Sequence, residues 1–273
     1  MNDLDEKYEQ LKQFIETKGK DGVVLAFSGG VDSSTLAVVC HKILGAKVVA
    51  VTAQSPTYTR EESEDAKRIA EAIGITFFVV KTNELSNENF CKNPENRCYY
   101  CKKELLQRLQ IVANDFGFKA VFEGTNFSEL AGHRPGFRAV EEQENVFSPW
   151  VENRFTKEDI RLVAKELGLS VFNRPSNACL ASRIPFNERI TAEKLTRIWK
   201  AEQLIKKLTR ATQLRVRDHN GLARIEVPKD EVSIFCGTNV DEIVERLKLL
   251  GFKYVTVDLE GYRTGSMLLT LDE

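Results

Sequence analysis

Two groups of residues in this 273-residue chain have types and spacings that could do chemistry. The first is Ser28-Gly29-Gly30-Val31-Asp32-Ser33-Ser34. It follows an apolar run, Val23 to Phe27, that reads as a buried parallel strand, and Ala26 sits at its base. It opens an apolar-periodic segment, Leu36 to Leu44, that reads as a helix. A strand, a Gly-rich turn and a helix start together form an anion site, because backbone N–H groups converge and the helix dipole favours negative charge. Gly29 and Gly30 let the backbone approach an oxyanion. Ser28, Ser33 and Ser34 add hydroxyl donors, and Asp32 could orient Mg²⁺ or the loop itself. This is not a Walker A loop, because the closing Gly-Lys-Ser/Thr is missing.

The second group is made of thiols. Cys98-Tyr99-Tyr100-Cys101 is a C-x-x-C pair at the end of a long polar segment, and Cys179 stands far downstream in Ala178-Cys179-Leu180-Ala181-Ser182-Arg183. A lone C-x-x-C fits half a zinc site, a redox pair, or two ligands of an iron–sulfur cluster. No second C-x-x-C completes a zinc ribbon, and the pair does not follow the first strand as in a thioredoxin-like fold. Three thiolates brought together would suit three corners of a [4Fe–4S] cluster and leave one iron open. Cys40 and Cys236 read as core residues; Cys91 has no assignment. His41, His133 and His219 show no metal-site spacing.

Other candidates surround these groups. Thr52 ends the second strand-like run and would face an adenine, and Gly124-Thr125-Asn126 ends the fourth and could contact a nucleotide. Arg183, Arg215 and Arg217 are candidates for phosphate and carboxylate groups, since guanidinium forks match such anions. Arg215 and Arg217, two apart on a strand, share a face. The alternative is a solvated basic strand; the stretch Lys194 to Arg217, with eight Lys or Arg and one Glu, reads as a solvated face or an anion-collecting wall.

These residues need a scaffold, and the pattern supplies one. Strand-like runs at Val23–Phe27, Lys47–Thr52, Thr76–Val80 and Ala120–Glu123 alternate with helical patterns near 4–17, 33–44, 60–73 and 101–116. Such alternation implies an α/β fold with a parallel sheet flanked by helices. Thr156-Lys157-Glu158-Asp159 reads as a capped helix start. Beyond Pro185 the pattern changes to a helix at about 191–208, two runs joined by Asn220-Gly221, which predicts a hairpin, then a helix and a strand. The expected division is therefore residues 1–185 and a smaller α+β domain, 186–273. Apolar residues make up 42% of the chain, enough for a substantial core; a net charge of -1 argues against a nucleic-acid partner. No apolar run approaches a membrane span, and the acidic start, Met1 to Glu6, lacks a signal peptide's apolar core. The cytoplasm is the expected location, where disulfides are disfavoured.

The Ser28–Ser34 loop resembles the pyrophosphate-binding (PP) loop of the ATP pyrophosphatases, the adenine nucleotide alpha hydrolase-like fold. With Asn96-Arg97-Cys98-Tyr99-Tyr100-Cys101-Lys102, Gly124-Thr125-Asn126, Arg134-Pro135-Gly136 and Pro175 to Pro185, nearly the whole chain resembles the LarE-type sulfur transferases of nickel-pincer nucleotide synthesis. The resemblance implies ATP and Mg²⁺ as cofactors and pyridinium-3,5-biscarboxylic acid mononucleotide as substrate. ATP would adenylate a carboxylate, and sulfur would then displace AMP. It implies one of two sulfur sources: Cys179 itself, sacrificed to dehydroalanine, or a [4Fe–4S] cluster held by Cys98, Cys101 and Cys179, which the three cysteines favour. It implies phosphate-binding arginines on the strand of Arg215 and Arg217, a homo-oligomer, and other nickel-pincer biosynthesis proteins as further partners. A tRNA thiolase and an amidating ligase of the same superfamily are the alternatives. One departure is the stretch after Asn126, where the family carries acids and this chain has only Glu129.

Overall fold

The computed structural model describes residues 3–132, 134–174, 178–237 and 239–271. The chain packs as two units, Met1–Glu84 with Asn96–Asn177, and Leu85–Glu95 with Ala178–Glu273.

The first unit holds α1 (Asp3–Lys18), β1 (Val23–Ala26), α2 (Val31–Leu44), β2 (Val48–Gln54), α3 (Arg60–Ile73) and β3 (Thr76–Lys81). The chain returns to it with α5 (Arg97–Asp115), β4 (Ala120–Phe122), α6 (Pro135–Glu141), β5 (Val146–Phe147), α7 (Pro149–Glu152) and α8 (Lys157–Glu166). The five strands form one parallel sheet in the order β3-β2-β1-β4-β5. The central strands are apolar throughout because both faces are covered. Val23, Leu25, Val48, Ala50, Ala120 and Phe122 pack into one cluster with α1, α2 and α8. Their alternates Val24, Val49, Val51 and Val121 pack into a second cluster with α5 and α6. The pleat thus splits each buried run between two cores. The order reverses at β1, so the loop after β1 opens at the switch point where open α/β sheets bind ligands.

The second unit holds α4 (Glu88–Cys91), α9 (Ala192–Leu208), β6 (Arg215–His219), β7 (Leu222–Glu226), α10 (Val240–Leu249) and β8 (Tyr254–Val257). β6 and β7 pair antiparallel and β8 joins β7 in parallel. The predicted hairpin turn is present: Asn220 and Gly221 have φ of 50° and 95°, and the Gly221 N–H donates to Asp218 Oδ1 at 2.8 Å. Val216, Ala223 and Ile225 pack with Ile205, Ile243 and Leu247 as a separate core.

The units differ from a division at residue 185. Residues 85–95, expected within the first domain, belong with the second unit. The Asn93 amide donates to the carbonyls of Ile184 and Pro185 at 3.3 and 2.6 Å. Asn187 N–H donates to Asn93 O at 2.9 Å and Ile190 N–H to Cys91 O at 2.8 Å, while Arg189 forks onto Glu88. Among the described residues, no helix is long and apolar enough to cross a membrane.

Candidate active site

The loop after β1 is built as its residue types require. Gly29 has a φ of 71°, and a Cβ there would lie 3.0 Å from Ala66 Cα, so glycine alone fits without strain. The Ser28 N–H donates to Ser33 Oγ at 3.2 Å, the Gly30 N–H to Ser28 Oγ at 3.3 Å, and Ser33 Oγ to Gly30 O at 3.3 Å. The loop therefore curls back on the helix start. Helix α2 has Gly30 as its N-cap residue and no side-chain cap, which leaves its dipole open to an anion. Ser34 is fully buried, and its Oγ has no hydrogen-bond partner among the described residues.

The end of β4 closes on this loop. A Cβ on Gly124 would come within 3.3 Å of Ser33 N, so the two backbones approach at a distance only glycine readily permits. Asn126, 1% exposed, donates from Nδ2 to Asp32 Oδ1 at 3.3 Å, and its Oδ1 is buried without a partner among the described residues. Two buried, unpartnered oxygens at the loop, on Ser34 and Asn126, are features a ligand would satisfy. Thr52 instead donates to Phe27 O at 2.5 Å, which ties the ends of β1 and β2 together.

Several residues here were not singled out in sequence. Lys157 Nζ donates to Asp32 Oδ2. Buried Trp150 donates from Nε1 to Asp32 O at 3.1 Å. Glu123, 2% exposed, accepts from Lys102 Nζ at 2.7 Å, Thr125 Oγ1 at 2.7 Å, Thr125 N at 3.2 Å and Ser148 Oγ. Burial opposes its ionisation, but the Lys102 ammonium and the hydroxyl donors outweigh that and hold the carboxyl below its usual range. Glu129, the one acid after Asn126, is partly buried, which pushes its pKa up despite Arg134 at 3.0 Å.

Cys98 and Cys101 are the second and fifth residues of α5, three apart and so on one helix face. Cys98 is exposed and Cys101 half-buried, with its Sγ 3.8 Å from Oε1 of buried Glu84. Glu84 also accepts from Ser55 Oγ at 2.5 Å and Thr82 Oγ1 at 2.9 Å.

In the second unit, Cys179 precedes a 3₁₀ turn, Leu180–Arg183, and is half-buried. Its carbonyl accepts from Ser182 N, Ser182 Oγ and Arg183 Nη1 at 3.0, 2.8 and 3.0 Å. The three arginines are buried, not a solvated strand. Arg183 pairs with Glu202 at 3.0 Å, and Arg217 forks onto Glu226 at 3.0 and 2.7 Å and donates to Ser182 O at 3.0 Å. These two guanidinium groups are engaged by the protein itself. Arg215 differs: it donates to Leu214 O at 2.8 Å and lies over the Tyr262 ring, with no carboxylate partner among the described residues. Burial, and then the Arg183 charge, lower its pKa.

One expectation is corrected: Cys236 is exposed rather than core. Among the described residues, no three His, Cys, Asp or Glu side chains gather into a metal-binding group. Cys98 and Cys101 belong to the first unit and Cys179 to the second. His133, Pro175, Ser176 and Asn177 lie outside the described residues.

Comparisons with known proteins identify the family. Residues 4–113 match the NAD synthase family model. An uncharacterised protein of Synechocystis sp. is 42% identical over 97% of both chains. The pyridinium-3,5-bisthiocarboxylic acid mononucleotide synthase of Lactiplantibacillus plantarum is 36% identical over 91% of this chain and 90% of its own. The chain belongs to the LarE family. It is an ATP-dependent sulfur transferase of nickel-pincer cofactor synthesis, on the α/β fold that the PP-loop motif implies. An uncharacterised protein of Methanocaldococcus jannaschii is 31% identical over 94% of this chain and 98% of its own.

Proposed function

We propose that this protein adenylates a carboxylate of pyridinium-3,5-biscarboxylic acid mononucleotide and converts it to a thiocarboxylate. The observation that carries the reading is the loop at Ser28–Ser34, with its uncapped helix start and the buried, unpartnered oxygens of Ser34 and Asn126. A carboxylate resists nucleophiles until one oxygen becomes a leaving group. The substrate oxygen bonds to the α-phosphorus, the bond to the β-phosphate bridge breaks, and pyrophosphate leaves with the electron pair. The loop N–H groups and hydroxyls hold that charge. Sulfur then bonds to the acyl carbon and AMP departs. Asp32 is the loop's carboxylate for orienting Mg²⁺; Lys157 and Asn126 engage it here and would have to yield to the ion. Ala26, Thr52, Gly124 and Thr125 flank the nucleotide.

Cys98, Cys101 and Cys179 are the donors for a [4Fe–4S] cluster, which would supply an open iron able to carry sulfide. The half-exposed or exposed state of all three thiols supports ligation rather than packing. Arg215 is the foremost of the three arginines for the substrate's anions. A buried guanidinium without a carboxylate is costly until an anion meets it. Arg183 and Arg217 shape its surroundings while held by Glu202 and Glu226.

The test is anaerobic protein with ATP, substrate and a sulfide source, read by pyrophosphate release and by mass for replacement of oxygen by sulfur. Thiocarboxylate should form, and Cys179→Ala should abolish it while ATP binding persists. Pyrophosphate release with no sulfur incorporated would refute the transfer step. Iron and sulfide analysis of Cys98→Ser and Cys101→Ser should show cluster loss; a colourless wild-type protein with bound zinc would refute the cluster.

A further inference from the structure

Arg183 and Arg217 meet Glu202 and Glu226, which neutralise their charge and occupy their N–H groups. Arg215 is buried with them, and its one hydrogen bond among the described residues is to Leu214 O. A buried guanidinium needs a stabilising partner. Here the partner is a ring rather than a carboxylate: the guanidinium carbon lies over Tyr262, 5.5 Å from the ring centroid.

The segment after β8 brings Tyr262 there. Its N–H donates to Val227 O at 2.7 Å, just past the end of β7. Gly261 has a φ of 75°, and a Cβ there would lie 2.9 Å from both Val227 O and Lys229 N. The chain is pressed against the strand end at a point where only glycine fits. Further on, Ser266 Oγ donates to Glu226 Oε1 at 2.9 Å and accepts from Arg217 Nη2 at 3.2 Å. The segment is therefore fastened twice to the β6–β7 pair that carries Arg215.

A ring and a carboxylate differ in what they leave free. A carboxylate at this place would occupy the guanidinium fork and repel an incoming anion. A ring face attracts the cation through its quadrupole, carries no net charge and takes no oxyanion's place on the fork. We propose that Tyr262 is a positioning residue for Arg215, its ring holding the guanidinium in place while the N–H fork stays open to an oxyanion of the substrate. This inference rests on the assignment of Arg215 to the substrate's anions given above and adds the residue that keeps the arginine ready.

The experiment measures binding of pyridinium-3,5-biscarboxylic acid mononucleotide to the full chain by calorimetry without ATP, so no bond is made or broken. Tyr262→Leu and Tyr262→Met keep apolar bulk and remove the ring face. At native circular dichroism they should weaken binding roughly 5- to 30-fold, the worth of a desolvated cation–π contact. Tyr262→Phe keeps the face and should stay within about threefold of wild type. Arg215→Met should weaken binding more than Tyr262→Leu does. Adding Tyr262→Leu to Arg215→Met should cost nothing further, because the ring acts through the arginine, whereas a tyrosine that only supports the fold would give losses that add. Native affinity in Tyr262→Leu and Tyr262→Met, a loss in Tyr262→Phe as large as theirs, or additive losses in the double variant would overturn the proposal and leave Arg215 its role. Native affinity in Arg215→Met, or no binding by wild type, would overturn the anion assignment itself and this proposal with it.

Discussion

Replacing Glu123 by Gln changes almost no volume and tests whether the buried carboxylate holds the first unit together. Oε2 accepts from Lys102 Nζ and Thr125 Oγ1, both at 2.7 Å; Oε1 accepts from Thr125 N at 3.2 Å and from Ser148 Oγ. An amide has one acceptor oxygen and one donor nitrogen. Either orientation of the new side chain therefore sets its NH₂ against two donors. The less costly one faces the nitrogen toward Lys102, whose side chain is 23% exposed and can turn to water, and toward the Thr125 hydroxyl, which can rotate to accept. What remains lost is the charge-assisted bond and the neutralised charge. Breaking a buried pair costs about 3–5 kcal/mol, and partial solvation of Lys102 brings the expectation down to roughly 2–3 kcal/mol.

The two tryptophans fall one in each unit, Trp150 in the first and Trp199 in the second. Urea unfolding followed by Trp150 fluorescence in a Trp199→Phe background isolates the first unit. With a slope of about 2–3 kcal/mol per M, the midpoint should fall by roughly 1 M. The pH dependence adds a sign. The folded carboxyl sits below its usual range, so its contribution is present above the unfolded value of about 4.3 and is lost as pH falls through the folded one. The gap between wild type and Glu123→Gln should be full at neutral pH and close in acid. Adding Lys102→Met should cost less than additively. A variant within about 0.5 kcal/mol of wild type, or a gap that does not narrow in acid, would refute the reasoning.

Three further outcomes follow from local geometry. Gly29→Ala places a Cβ 3.0 Å from Ala66 Cα at a φ of 71°, so the loop must shift. Pyrophosphate affinity should drop at least tenfold, with a stability loss of roughly 1–3 kcal/mol; native binding would contradict the loop geometry. Asn93→Ala removes two buried amide bonds to the 184–185 carbonyls and leaves Ala at a φ of 55°. A loss of about 2–3 kcal/mol in the second unit, with the first unchanged, is expected from separate tryptophan reporters. In native alkylation read by mass spectrometry, exposed Cys98 and Cys236 should react first. Cys40 and Cys91, whose thiols are pushed up by burial, should react last, and early labelling of Cys40 would place it outside the core.

The parallel sheet was legible because its strands are buried on both faces. Val23–Phe27 and Lys47–Thr52 show as unbroken apolar runs with helical periodicity between them. β5 was not legible, since Val146–Phe147 is too short to show a period; its edge position comes from pairing with β4. The hairpin at Asn220-Gly221 was legible because its turn chemistry is local. The attachment of residues 85–95 was not, because its hydrogen bonds and ion pair reach partners about ninety to a hundred positions away.

The same distinction runs through the site. Ser28–Ser34 shows in sequence because a phosphate loop is a contiguous stretch whose backbone does the binding. Ion pairing is different, because the sequence displays every charge and none of the partners. Lys102 sits beside Cys101 in plain view, but its acceptor, Glu123, ends a strand whose carboxylate looked like a strand terminus. Arg183, Arg215 and Arg217 looked alike as anion binders. In the fold, Glu202 and Glu226 neutralise two of them, and Arg215 is left with a backbone carbonyl and a ring. Both acids were readable, but each lies nine or more positions from its arginine, beyond any local spacing rule. What separates a binding arginine from a structural one is therefore the acid it does or does not meet, a property of the fold that no single residue carries.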